Sequence, residues 1–243
     1  MRIPRFYLPT PYQPGAKVSL EKAQVHYALN VLRLKHNRPV ELFDGQGVQA
    51  QAQLQIIDRR HAEVEIIAID TINRESPLHT VLLQGISKGD RMDFTIQKAT
   101  ELGITTIQPL FTEHCDVKLS ADKQLKRQQQ WQDIAISACE QSNRNHLPTI
   151  LPPIPFTDWL TSAEHTQGLV LEPSAALSLK QLPPPTNDPL AILIGPEGGL
   201  SEEEVALACQ KGLQPLRLGP RILRTETAGL VILSALQTLW GDF

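Results

Sequence analysis

Several features are scarce or missing in this 243-residue chain, and each absence closes off a class of function. No apolar run approaches the roughly 20 residues that a membrane-spanning helix needs, so no membrane partner is expected. Cysteine is sparse. Cys115, Cys139 and Cys209 are scattered and odd in number, which suits free thiols in a reducing compartment better than a disulfide framework. The opening Met-Arg-Ile-Pro-Arg-Phe-Tyr holds no apolar secretory core, so a cytoplasmic location is expected. Neither G-x-x-x-x-G-K-[ST] nor G-x-G-x-x-G after a strand occurs, which argues against an ATPase and against a simple dinucleotide dehydrogenase. His114-Cys115-Asp116 has no second cluster at ligand spacing, so no metal site is expected. No Ser-His-Asp or Cys-His arrangement is discernible.

Charge is nearly balanced, with a formal net of −3. Residues 1–72 hold nine Lys/Arg against seven Asp/Glu, and the remainder fourteen against nineteen. The first part could touch phosphates, although ordinary solvated charge explains so small a surplus equally well. The patterning also changes near residue 72. Before it, strands are expected at 39–43, 49–57 and 62–69, with an Asp44-Gly45 turn and one helix over 20–34 that Ser19 can cap and that sets Val25, Leu29 and Leu32 on one side. That pattern suits a small β-barrel. After the polar, proline-bearing stretch 71–78, strands expected at 79–86, 104–110, 168–171, 190–194 and 214–218 alternate with helices at 90–102, 122–142, 202–211 and 227–240. Such alternation means a parallel sheet covered by helices.

Two glycine-bearing turns carry the chemistry. Ile194-Gly-Pro-Glu-Gly-Gly199 follows an apolar strand and leads into a helix that opens with a Ser201/Glu204 capping box. Leu218-Gly-Pro-Arg-Ile-Leu-Arg-Thr-Glu-Thr-Ala228 follows the next strand and opens the last helix, where Thr225 or Thr227 can act as the cap. Paired turns at the carboxyl ends of parallel strands describe a ligand crevice. Small and apolar groups with free backbone amides suit an adenine ring. Glu197 can accept from a ribose hydroxyl or take a proton, and Arg224 can hold a base carbonyl or a phosphate. On the helix over 90–102, Phe94, Ala99 and Leu102 are expected to pack. The polar run Glu140-Gln-Ser-Asn-Arg-Asn145 reads either as a fraying helix end or as an RNA contact through Asn143 and Arg144.

The motifs Gln97-Lys-Ala-Thr-Glu-Leu-Gly103, Glu140-Gln-Ser142 with Arg144, Ile194–Gly199 and Leu218–Ala228 occur in one order over most of the chain. Together with Arg2-Ile-Pro-Arg-Phe6 and Val31-Leu-Arg33, they resemble the family of ribosomal RNA small subunit methyltransferase E, within the SPOUT superfamily of S-adenosylmethionine-dependent RNA methyltransferases. The resemblance implies an α/β fold: residues 73–243 form a SPOUT methyltransferase domain with a deep C-terminal trefoil knot, and residues 1–72 a small PUA-like RNA-binding barrel. It implies a homodimer that methylates N3 of one uridine of 16S rRNA in the assembled small ribosomal subunit. S-adenosylmethionine would be cradled by Leu171, Gly195, Pro196, Glu197, Gly198, Gly199, Leu218, Gly219, Pro220, Ile222, Leu223 and Ala228. Arg224, Glu197 and Glu226 would be catalytic, and Arg2, Arg5, Arg33 and Arg144 would hold RNA. The family commonly has Arg at the position of His114, so an RNA contact there would be weaker or pH-dependent.

Overall fold

A computed structural model gives the fold and describes residues 3–162, 167–186 and 189–243. The chain divides into two compact units, Met1–Glu75 with Cys139–Leu147, and Ser76–Ala138 with Pro148–Phe243. The first unit therefore takes in a short later segment in addition to the N-terminal stretch.

In the first unit, β1 (Arg5–Tyr7), β2 (Lys17–Ser19), β3 (Pro39–Phe43), β4 (Gln49–Ile56) and β5 (Ala62–Asp70) form one sheet in the order β1-β3-β4-β5-β2. β1 runs parallel to β3, and the other pairs are antiparallel. Alternate residues face one core: Val40 and Leu42 from β3, Ala52 and Leu54 from β4, Val64 and Ile66 from β5. The Asp44 carboxylate accepts from the Gln46 and Val48 amides and closes the β3–β4 turn. The expected helix over 20–34 is shorter and irregular. α1 (Lys22–His26) starts at Glu21, whose amide donates to the Gln24 side chain, and Ser19 ends β2 instead of capping. A π-helical turn over Tyr27–Val31 then inserts an extra residue. That residue rotates the apolar stripe, so Val25 stays buried while Val31 and Leu32 turn outward.

The second unit is built on a seven-stranded parallel sheet. Its strands are β6 (Thr80–Gly85), β7 (Thr106–Phe111), β8 (Thr149–Ile150), β9 (Ile154–Pro155), β10 (Gly168–Leu171), β11 (Leu190–Ile194) and β12 (Leu213–Leu216). The order is β12-β10-β11-β6-β7-β8, with β9 also on β7. The helices are α2 (Asp90–Glu101), α3 (Ala121–Ser142, whose last residues belong to the first unit), α4 (Phe156–Ser162), α5 (Glu202–Gln210) and α6 (Thr225–Trp240). Leu83, Leu110, Val170, Leu193 and Leu213 meet Phe156, Trp159 and Ala208 on one face. α2 packs on α6, burying Met92, Ile96 and Ala99 of the first and Ile232, Leu233 and Leu236 of the second. A fully buried Leu or Ile stabilises by about 2 kcal/mol, so α6 is firmly anchored behind its first turn. Phe94 departs from expectation: it lies on the outer side of α2 and is 45% exposed. No helix of the described residues is long and apolar enough to cross a membrane.

Candidate functional site

The strands β10, β11 and β12 end side by side. β10 lies between the other two, so the chain leaves it on one side and returns on the other. Connections that diverge in this way leave a crevice at the carboxyl edge of a parallel sheet. A cavity of about 530 Å³ occupies it, within the range of small-molecule sites. Its apolar wall is Ile194, Leu216, Leu218, Ile222, Leu223 and Ala228, and its charged residues are Arg91, Glu172, Glu197, Arg221, Arg224 and Glu226. Ile222 lines it although 86% of its surface is exposed, so this apolar side chain has little of its own chain to pack against.

Of the residues expected to hold cofactor, Leu171, Gly195, Pro196, Glu197, Gly199, Leu218, Gly219, Ile222, Leu223 and Ala228 line the cavity. Gly198 and Pro220 lie outside its lining. Gly198 serves close packing instead: a Cβ there would stand 2.7 Å from the His114 Cβ. Position 114 thus lies against the first glycine turn, with an exposed side chain. Gly219 has φ +130°, which non-glycine residues rarely adopt, and this fixes a glycine at the start of the second turn.

The two turns are joined by buried polar atoms. The Thr225 hydroxyl donates to the Gly195 carbonyl (2.6 Å) and accepts from the Gln84 side-chain amide (2.9 Å), which also donates to the Gly85 carbonyl (2.9 Å). Thr225 is therefore the first residue of α6, not its cap. The cap position is Arg224, which makes no side-chain cap hydrogen bond, and the helix starts two residues earlier than the pattern suggests. On the other turn the expected capping box is present. The Glu204 amide donates to the Ser201 hydroxyl, and the Ser201 amide donates to the Glu204 carboxylate. The second carboxylate oxygen of Glu204 accepts from the Glu113 amide (2.9 Å), which ties the turn after β7 to the same framework.

The three candidate catalytic side chains all reach the cavity, in different states. Glu197 accepts from the Lys88 amide (2.9 Å) and from Arg91 (2.8 Å). Burial pushes its carboxyl up, but hydrogen bonds from the backbone amides of Glu197 and Lys88 and from Arg91 outweigh this and hold it below the usual carboxylate range. Glu226 is less engaged. One carboxylate oxygen is 3.9 Å from Arg91 Nε, and Oε2 is buried without a hydrogen-bond partner. A buried acceptor without a partner is a deficit that a ligand donor or a proton would relieve once the side chain turns into the cavity. Arg224 is exposed and carries no ion pair among the described residues. Sequence reasoning missed Arg91 and Gln84. Both sit on elements distant in the chain from the two glycine turns. Among the described residues no group of three or more His, Cys, Asp or Glu could hold a metal ion.

Known proteins are similar to this chain over its full length. A family model for an RNA methyltransferase domain matches residues 74–237, and one for an RNA methyltransferase PUA domain matches 20–67. Ribosomal RNA small subunit methyltransferase E of Buchnera aphidicola subsp. Schizaphis graminum is 39% identical, over 99% of this chain and 98% of its own. The chain belongs to the ribosomal RNA small subunit methyltransferase E family. The Bacillus subtilis member is 34% identical, with 92% of each chain covered. The crystal structure of the Neisseria gonorrhoeae methyltransferase E, bound to S-adenosyl methionine, superposes with a TM-score of 0.92 at 44% identity, over all of both chains.

Within this methyltransferase E family member, the arginines expected to grip RNA are divided. Arg5 is 4% exposed; it donates to the Cys139 carbonyl (3.2 Å), the Arg144 carbonyl (3.3 Å) and the Asn145 side chain (2.5 Å), and its ring neighbour is Phe43 at 4.8 Å. Arg144 is 5% exposed and clamps the Glu75 carboxylate. Both side chains are buried and brace the first unit from within, Arg5 on the segment Cys139–Asn145 and Arg144 on Glu75. Asn145 completes the brace, donating to the Gln49 side chain and the Ile72 carbonyl. The run at 140–145 is thus folded into the first unit and is not a frayed end. Arg33 is exposed, with a left-handed φ of 52°, just past the π turn. Arg2 lies outside the described residues.

Proposed function

We propose that this chain transfers a methyl group from S-adenosylmethionine to N3 of one uridine of 16S rRNA, in the assembled small ribosomal subunit, as a cytoplasmic homodimer. In this reading residues 73–243 form a SPOUT methyltransferase domain whose C-terminal segment is knotted, and residues 1–72 form a PUA-like domain that approaches RNA through Arg33. The observation that carries the reading is the cavity at the ends of β10, β11 and β12. Two turns wall it, it is apolar on one side, and it is lined by the Arg224 guanidinium and by Glu226, whose Oε2 is buried without a partner.

The residues present fit the cofactor. The volume accommodates a folded nucleoside. Leu218, Ile222, Leu223 and Ala228 offer apolar surface to an adenine, and backbone amides of the non-proline residues in the two turns offer donors to its edge and to the ribose. When bound, the cofactor supplies an electrophilic methyl group on a sulfonium that leaves as a neutral thioether. The protein has to orient uracil N3, accept its proton and balance the charge that spreads to O2 and O4. Arg224 is free to hold those oxygens. Glu226, with Oε2 unengaged, is the better placed acceptor of the N3 proton, whereas Glu197 is committed to Lys88 and Arg91. The target uridine must leave its stack to enter, at a cost of a few kcal/mol, which contacts around the pocket would offset.

Mass mapping of ribosomal RNA from a strain lacking the protein tests the reading. One uridine of 16S rRNA is expected to lose its N3 methyl group and regain it with the wild-type chain but not with Arg224→Ala. An unchanged 16S map, or a methyl group lost from tRNA instead, would overturn the assignment.

A further inference from the structure

Between Glu21 and Glu41 the chain holds Lys22, Arg33, Lys35 and Arg38, with His26 and His36, and no Asp or Glu. This stretch is α1, the π turn and the loop into β3, all in the first unit. Among the described residues those four cations form no ion pair, whereas Glu41 at the boundary is engaged by Arg5. Apolar side chains stand exposed in the same stretch: Tyr27 at 43%, Val31 at 57% and Leu32 at 36%. Three within one turn form a patch, unlike apolar residues scattered singly. The patch is firmly built. The Leu32 amide donates to the Tyr27 carbonyl and the Leu34 amide to the Ala28 carbonyl, each at 2.9 Å. The buried Phe6 ring braces the Tyr27 ring edge-on, with centroids 6.4 Å apart and planes at 80°. Arg33 follows in a left-handed backbone (φ of 52°), a conformation few non-glycine residues adopt, with its side chain exposed.

We propose that this face binds an unpaired segment of RNA, with one base stacked on Tyr27 beside Val31 and the flanking phosphates held by Arg33 and Lys35. The inference deepens the reading of the first unit as RNA-binding and rests on it. Four unpaired cations without an acid among them complement a polyanion. A duplex shows those cations its phosphates but keeps its base faces inside the stack, so an exposed aromatic ring gains nothing from it. A single strand supplies both phosphates and free base faces. Every base has such a face, so the contact adds affinity and leaves the choice of target to the cofactor-binding unit.

Fluorescence anisotropy of the full chain with a labelled, unstructured oligoribonucleotide of about 12 nucleotides, alone and annealed to its complement, tests this across a salt series. The single strand is expected to bind at least about tenfold more tightly than the duplex. Tyr27→Ala is expected to weaken single-strand binding about tenfold without changing its salt slope, and Tyr27→Phe to stay within about threefold of wild type. Val31→Ser, which changes only an exposed side chain, is expected to cost about threefold. Arg33→Ala is expected to lower the salt slope by about 0.7. Single-strand affinity unchanged in folded Tyr27→Ala and Val31→Ser, a loss shared equally by Tyr27→Phe, or a duplex bound as tightly as the single strand would each overturn the platform. Calorimetry with S-adenosylmethionine on the same samples keeps the two readings apart. Cofactor binding that persists while the platform fails would spare the methyltransferase reading, and its absence with the oligoribonucleotide results intact would overturn that reading alone.

Discussion

Replacing Thr225 by valine removes one hydroxyl and keeps the branched shape, so it isolates the strap between the two cofactor turns. In the structure that hydroxyl has two buried partners, the Gly195 carbonyl at 2.6 Å and the Gln84 amide at 2.9 Å. Gln84 retains its bond to the Gly85 carbonyl after the change, so the new deficits are one amide hydrogen and one carbonyl. An unmet buried polar group costs about 1–3 kcal/mol, which sets the expected loss at about 2 kcal/mol after partial relaxation of the less buried carbonyl. Because the hydroxyl joins the 195–199 turn to the first turn of α6, the loss falls on the geometry that both turns must share to hold a nucleoside. Isothermal calorimetry with S-adenosylmethionine is expected to show affinity weakened about 30-fold, since about 1.4 kcal/mol corresponds to a factor of ten. Thr225→Ser keeps the hydroxyl and is expected to bind within about threefold of wild type. A folded valine variant with wild-type affinity would refute the strap.

The remaining expectations concern other parts of the chain. Arg144→Ala leaves the Glu75 carboxylate without its clamp and is expected to destabilise the first unit by about 3 kcal/mol, measured by urea unfolding. Arg33→Ala should leave that unfolding curve unchanged and weaken RNA binding with a shallower salt dependence, by filter binding across a salt series. Gly198→Ala places a methyl group 2.7 Å from the His114 Cβ and should displace the first glycine turn, costing at least about tenfold in cofactor affinity by calorimetry. Burial pushes the Cys139 thiol up to about 12, so alkylation of the native protein near neutral pH should spare Cys139, and unfolding should expose all three cysteines to reagent.

The parallel sheet was legible because its strands are short apolar runs between amphipathic helices, and because glycine turns mark their carboxyl ends. Most of the cavity wall follows from those two turns. What escaped was set by contacts between segments distant in the chain. The Gln84–Thr225–Gly195 strap joins positions 30 to 141 residues apart, and no local pattern distinguishes Gln84 from any polar residue in a strand. Arg91 resembles ordinary helix surface until Glu197 and Glu226 are brought to it. The bracing role of Arg5 and Arg144 was hidden for the same reason: only the fold of Cys139–Leu147 into the first unit brings their partners together. The π turn at Tyr27–Val31 is a register event that a 3.6-residue period cannot anticipate.

Titration of the purified wild-type protein with S-adenosylmethionine, alongside a variant carrying Leu223→Trp on the apolar wall to fill the crevice, tests the central claim most directly. The account predicts saturable binding at one cofactor per chain, abolished by the tryptophan. Absence of binding to the folded wild-type protein, or binding that the tryptophan leaves intact, would contradict it.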